Sequence, residues 1–232
     1  MTGRRLRVAL SAAAAACAAL GGCTGKDAGG GEAPPINTAW TDDFERAELG
    51  SDWRATSEVY QLVNGALNGR GAVNHPAWLR RALPRDAVIE LDVWSSSPEG
   101  DIKVELYGDG RSYDRDGGRY TSTGYVAVMG GWNNSKSILA RGDEHGTALV
   151  ERTSPSVEQG KRYHWKLVRR GGRIEWYVND MTAAFLVLSD PQPLDGPGHR
   201  YFAVNNWQTD TWFDNLRIAP LEAETAAPAA AR

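Results

Sequence analysis

Residues 163–180, YHWKLVRRGGRIEWYVND, constrain the fold more than any other stretch of this chain. Tyr163, Trp165 and Leu167 alternate with His164, Lys166 and Val168. Beyond Arg170-Gly171-Gly172-Arg173 the alternation resumes, with Ile174, Trp176 and Val178 opposing Glu175 and Tyr177. Period-two alternation puts each set on its own side of a strand, and a Gly-Gly pair accepts the positive φ angles of a tight turn. The stretch therefore reads as a β-hairpin. Its apolar side carries two Trp and needs a second layer to cover it. The expected fold class is all-β, a two-sheet antiparallel β-sandwich.

Other runs fit the same scheme. Tyr60–Val63 and Ala66–Asn68 flank Asn64-Gly65, a strong two-residue hairpin signal. In 87–94, Ala87, Ile89, Leu91 and Val93 face one way. In 101–107, Ile102, Val104 and Leu106 oppose Lys103, Glu105 and Tyr107. Further strands are expected at 77–81, 124–129, 137–141, 184–188, 201–205 and 211–218, separated by Gly, Asp, Asn and Pro. No helical periodicity persists beyond a turn or two. Residues 39–220, about 180 in all, suffice for one domain core.

The two ends read differently. Residues 1–22 combine Arg4, Arg5 and Arg7 with an Ala-rich apolar run from Val8 to Leu20, too short to span a bilayer but suited to a signal peptide. Leu20-Gly21-Gly22-Cys23 resembles a bacterial lipobox, which implies acylation of Cys23 and a membrane partner through the lipid. Thr24, where an Asp would imply inner-membrane retention, points to the outer membrane of a Gram-negative cell envelope. Residues 23–38 read as the lipidated Cys and a flexible linker, and 221–232 as a disordered tail.

Composition excludes several classes. Cys17 falls in the signal and Cys23 is the proposed anchor, so the domain has no disulfide and no thiolate metal site. Residues 1–22 hold three Arg and no acid, so their removal takes the formal charge from −3 to −6. That balance does not suit a nucleic-acid partner. Nine Trp and eight Tyr are abundant for this length, as core material and as sugar-stacking surface.

The opening Asp42-Asp43-Phe44, the central Trp176-Tyr177-Val178-Asn179-Asp180 and the closing Trp212-Phe213-Asp214-Asn215-Leu216-Arg217-Ile218 resemble the concanavalin A-like lectin/glucanase jelly roll. More closely they resemble its laminin-G-like branch, with the 3-keto-disaccharide hydrolase domains and bacterial lipoprotein relatives. The resemblance implies two antiparallel sheets of six or seven strands, one bent into a concave face. It also implies that first and last strands lie side by side, where Asp43 and Asp214 would hold a structural calcium.

The glucanase branch carries three alternating acids on one strand. Here Glu90-Leu91-Asp92-Val93-Trp94-Ser95 begins that pattern but lacks the last carboxylate, which argues against this catalytic class. Asp143, Glu144 and His145 form a separate cluster with acid/base types in one turn. Indoles beside amides are the expected ligand-binding groups: Trp132 with Asn133; Asn205 and Asn206 with Trp207; and His75 with Trp78 and Arg80. Sugars offer C–H faces to an indole and hydroxyls to amides. The expected function is a membrane-anchored lipoprotein that binds carbohydrate without catalysis. The alternatives are a glycoside-active enzyme resembling the 3-keto-disaccharide hydrolases and a structural or protein-interaction lipoprotein.

Overall fold

The computed structural model describes residues 33–117 and 120–221. The expected signal peptide, the proposed lipid anchor Cys23, residues 24–32 and residues 222–232 lie outside the described residues. Fifteen strands follow in chain order: β1 Trp40–Asp42, β2 Trp53–Ala55, β3 Tyr60–Val63, β4 Ala66–Arg70, β5 Ala77–Leu79, β6 Ala87–Ser95, β7 Ile102–Gly108, β8 Tyr125–Gly130, β9 Lys136–Arg141, β10 Leu149–Arg152, β11 Tyr163–Arg170, β12 Arg173–Val178, β13 Leu186–Ser189, β14 Tyr201–Asn205 and β15 Asp210–Pro220. They form an eight-stranded sheet, β13-β12-β11-β6-β15-β4-β3 with β1 also on β15, and a seven-stranded sheet, β10-β9-β8-β7-β14-β5-β2.

Turn chemistry sets the hairpins. Asn64 and Gly65 take φ 51° and 75°, the pair of positive values that a two-residue turn of matching twist demands, and join β3 to β4 at Val63↔Ala66. Gly171-Gly172 joins β11 to β12 at Arg170↔Arg173. The inward side chains then meet between the layers. Ala87, Ile89, Leu91 and Val93 of β6 are all buried, as are Ile102, Val104 and Leu106 of β7. Trp165 and Trp176 pack edge to face with ring centroids 4.6 Å apart, and Phe185 packs on Trp176 at 4.9 Å.

Two irregularities re-aim side chains. Between Asp214 and Arg217 the β15–β6 register shifts, with Asn215 at φ 51°, so that Phe213 and Leu216 are both buried although three residues apart. In β7, Tyr107 was expected beside Lys103 and Glu105. Its φ of 57° and the register shift against β14 turn it into the core instead, where the Arg169 guanidinium lies 4.0 Å from its ring.

The domain also begins earlier than residue 39. Ile36 is buried, its N–H donates to the Ala82 carbonyl at 2.9 Å, and Ala33 bridges Arg81. Residues 33–38, read as linker from their polar and Pro-rich composition, include one apolar side chain that the domain covers.

Candidate functional site

The outer face of the seven-stranded sheet is built by register. One cross-strand row holds Trp78, Ala203, Glu105, Val126 and Ala140; the next outward row holds Asn205, Lys103, Val128 and Ile138. Side chains on one face at adjacent positions are neighbours. Alternation alone makes Lys103 and Glu105 a solvated face. They are instead 2% and 0% exposed, because loops from distant parts of the chain fold over them.

That burial requires partners. The Glu105 carboxylate accepts from Tyr120 Oη (2.8 Å), Ser122 Oγ (2.6 Å) and Asn205 Nδ2 (2.9 Å). Burial pushes its pKa above the ordinary range; these donors and the Lys103 charge oppose the rise without cancelling it. Lys103 Nζ donates to Asn74 Oδ1 at 2.8 Å and pairs with Glu144 Oε2 at 2.8 Å. Burial alone would lower the Lys103 pKa, but Glu144 and Asp101 outweigh it and the net shift is upward.

Above this floor opens a cleft of about 1020 Å³ whose lining includes Trp132, Asn133, Asp101, Glu144, His145 and Trp207. Trp132 sits in a left-handed turn between β8 and β9: Gly130, Trp132, Asn133 and Asn134 take φ of 69°, 51°, 56° and 60°. Non-glycine residues in this region cost about 1–2 kcal/mol each. The turn is held by Asn134, whose Nδ2 donates to the Pro98 and Val157 carbonyls and whose Oδ1 accepts the Val157 N–H. The indole meets His145 edge-on at 5.5 Å, and Lys136 Nζ stands 4.4 Å from its centroid.

Trp207 is anchored differently. Its N–H donates to Asp101 Oδ1 at 3.2 Å and its carbonyl accepts the Val73 N–H at 2.7 Å. The backbone is thus clamped while the indole stays 40% exposed, the one large apolar side chain classed as exposed among the described residues. Burial pushes the Asp101 carboxyl up, with Lys103 opposing and Glu144 reinforcing the rise. The arrangement offers an apolar platform, amide and hydroxyl hydrogen-bonding groups, and several carboxylates in one concavity.

No protein-family model and no curated protein matches the sequence. Solved structures do match. The carbohydrate-binding module CBM66 from Bacillus subtilis superposes with a TM-score of 0.56 at 16% identity, covering 73% of this chain and 96% of that one. The exoplasmic/lumenal domain of VIP36, in its Ca²⁺/Man3GlcNAc-bound form, gives 0.60 at 9% identity over 81% and 90%. A structure from work on endo-acting O-glycanases of the human gut microbiota gives 0.56 at 12% identity over 80% and 100%. The fold is the concanavalin A-like lectin jelly roll. At these identities the fold is what is shared, and the site must be argued from its own residues.

Within this jelly roll the candidates divide. Trp132, Asn133, Trp207, Asp143, Glu144 and His145 share the cleft. Asn205 lies beneath it, fully buried under Glu105. Asn206 is also fully buried: its amide bonds Gly69, Thr211 and Ala72 and holds the β4–β15 end together. Trp78, expected as a ligand platform, is completely covered. Its Nε1 donates to Ser112 O at 2.9 Å, and a Cβ built on Gly108 would fall 2.4 Å from its ring. Arg80 lies past the end of β5 and donates to Ser51 O. His75 Nδ1 faces the Ala72 and Val73 carbonyls, and its ring rests on Tyr113. Trp78 is thus sealed from solvent, and Arg80 and His75 lie outside the lining of the cleft.

Asp43 and Asp214 do not fit calcium. Asp43 Oδ1 accepts the Glu45 N–H in a turn, and Asp214 is paired with Arg162 at 3.2 Å, a guanidinium where a cation would sit. Among the described residues no three His, Cys, Asp or Glu side chains are placed to hold one metal ion. Glu90 and Asp92 lie on the other sheet, Glu90 paired with Arg217 and Asp92 bonded to His164 and Asn215. Beside them Trp94 and Trp212 stack on each other, with Arg162 3.9 Å from the Trp94 centroid. Sequence reasoning missed Asp101 and the Lys103–Glu105 floor, for which the polar side of 101–107 was the only signal, and it grouped Asn74 with Trp78 and Arg80 rather than with Lys103.

Proposed function

We propose that the cleft binds carbohydrate, with Trp207 as the stacking platform and Trp132 as the opposite wall. The observation that carries this is the Trp207 indole, left 40% exposed beside a fully hydrogen-bonded polar floor. Exposing a large aromatic to water is unfavourable, and such a ring on a rigid backbone suits the C–H face of a sugar. The carbohydrate-binding module and the Man3GlcNAc-bound domain among the structural neighbours agree with this reading. Glycan-array screening followed by calorimetry tests it. Trp207→Ala should weaken the best ligand by about tenfold, about 1.4 kcal/mol, with an unchanged melting temperature. Unchanged affinity would remove the cleft from the reading.

A second reading rests on Asp101 and Glu144. One carboxyl is pushed up by burial and the other is tied to a cation, the asymmetry that acid/base pairs use. Glycoside turnover abolished by both Asp101→Asn and Glu144→Gln would favour an enzyme. Anchoring to the cell envelope through Cys23 belongs to the same proposal. Radiolabelled palmitate should enter the wild type and not Cys23→Ala.

A further inference from the structure

The charge of the cleft selects among glycans. Its lining includes five carboxylates: Glu99, Asp101, Asp114, Asp143 and Glu144. Among the described residues Lys103 is the cation beneath the floor, and His145 stands on the rim with Nε2 3.7 Å from Glu144. Lys103 is spent on Glu144 at 2.8 Å and on Asn74, and is 2% exposed. Lys136, over the Trp132 ring, is paired with Glu151 at 2.7 Å. Glu99 and Asp143 are exposed at the mouth, and Asp143 accepts only the His145 N–H at 2.8 Å. Asp114 Oδ1 accepts the Asp116 and Gly117 N–H groups.

Like charges in a concave, poorly solvated space focus their field. Resting on the carbohydrate reading, we infer that this cleft takes amino sugars in preference to neutral ones and rejects uronic or sulfated sugars. A free ammonium at C2 would meet the Glu99 and Asp143 carboxylates, and a ligand carboxylate would meet the same two groups with no unspent lysine among the described residues to offset them. Neutral sugars gain the stacking on Trp207 and hydrogen bonds but no charge attraction.

The test uses the full chain and two arms. In the first, β-1,4-linked tetramers of glucosamine, N-acetylglucosamine and galacturonic acid are titrated at pH 6. The glucosamine tetramer should bind at least about tenfold tighter than the galacturonate. The gap should shrink between about 0.05 M and about 0.5 M salt as screening shortens the reach of the charges. Galacturonate binding as tightly as glucosamine overturns the inference. Failure of all three, and of every glycan on an array, counts against the carbohydrate reading itself.

The charge inference is then decided by the second arm. Fluorescence quenching of Trp207, taken as wild type minus Trp207→Phe, is measured with iodide, caesium and acrylamide, each normalised to free N-acetyltryptophanamide. Caesium should outperform iodide. Glu99→Gln combined with Asp143→Asn should raise iodide quenching about twofold, because both side chains are exposed and removing their charge leaves the fold intact. Iodide matching caesium in the wild type overturns the inference whatever the glycans do.

Discussion

Lys103 Nζ and Glu144 Oε2 meet at 2.8 Å beneath the cleft, joining the middle strand of the seven-stranded sheet to the loop that carries His145. The side chains are 3% and 16% exposed, so the pair is largely desolvated. A desolvated pair is weak evidence for stability, but removing one partner strands the other charge.

Glu144→Gln should therefore cost about 3 kcal/mol, lowering the melting temperature of a domain this size by about 6–12 °C. Lys103→Met/Glu144→Met should recover much of that loss, since neither charge is then buried alone. Calorimetry on Lys103→Met, Glu144→Met and the double variant gives the coupling. Additive losses would show that the two groups do not act as a pair.

Asp42 contributes to the acid limb of the stability profile. Burial pushes its carboxyl up, but bonds from Arg46, Trp53 Nε1 and the Phe44 N–H outweigh that, and the net pKa lies below the ordinary 3.8. The unfolded chain then takes up the proton first as pH falls. The stabilisation is complete above about pH 3.8 and is lost as pH drops through the lower folded value. Asp42→Asn should lower stability at neutral pH by about 2 kcal/mol and flatten the profile below pH 4. Denaturant melts from pH 2.5 to 7 give both quantities; parallel wild-type and variant curves would rule Asp42 out.

Asn134 is predicted to set the pose of Trp132. Three bonds from its side chain tie the left-handed turn to Pro98 and Val157, and its own φ of 60° suits Asn far better than Ala. Asn134→Ala should cost about 2–3 kcal/mol and weaken glycan binding several-fold. Asn133→Ala, exposed in the same turn, should cost less in stability. Equal melting temperatures for the two variants would place the anchor elsewhere.

The sandwich was legible because alternation is a local property. Each of Ala87, Ile89, Leu91 and Val93 faces the core by position alone, and Asn64-Gly65 carries its turn in two residues. The indoles Trp132 and Trp207 were also legible as ligand candidates, since each follows a strand beside amides. Trp78 looked the same in sequence. Whether an indole is open or sealed depends on what crosses over it, and for Trp78 that includes Gly108 and Ser112, about thirty residues downstream.

Period two thus determined by itself which side of a regular strand an amino acid occupies, and it failed where Tyr107 and the Asp214–Arg217 segment break the register. It could not say that the polar side of β7 is roofed, because the partners of Lys103 and Glu105 come from residues 74, 120, 122, 144 and 205. Only the tertiary structure decided that Glu105 and Asn205, one hundred residues apart, would close a buried network under an acidic cleft. A buried charge needs donors at hydrogen-bond distance, and only the folded chain brings these together.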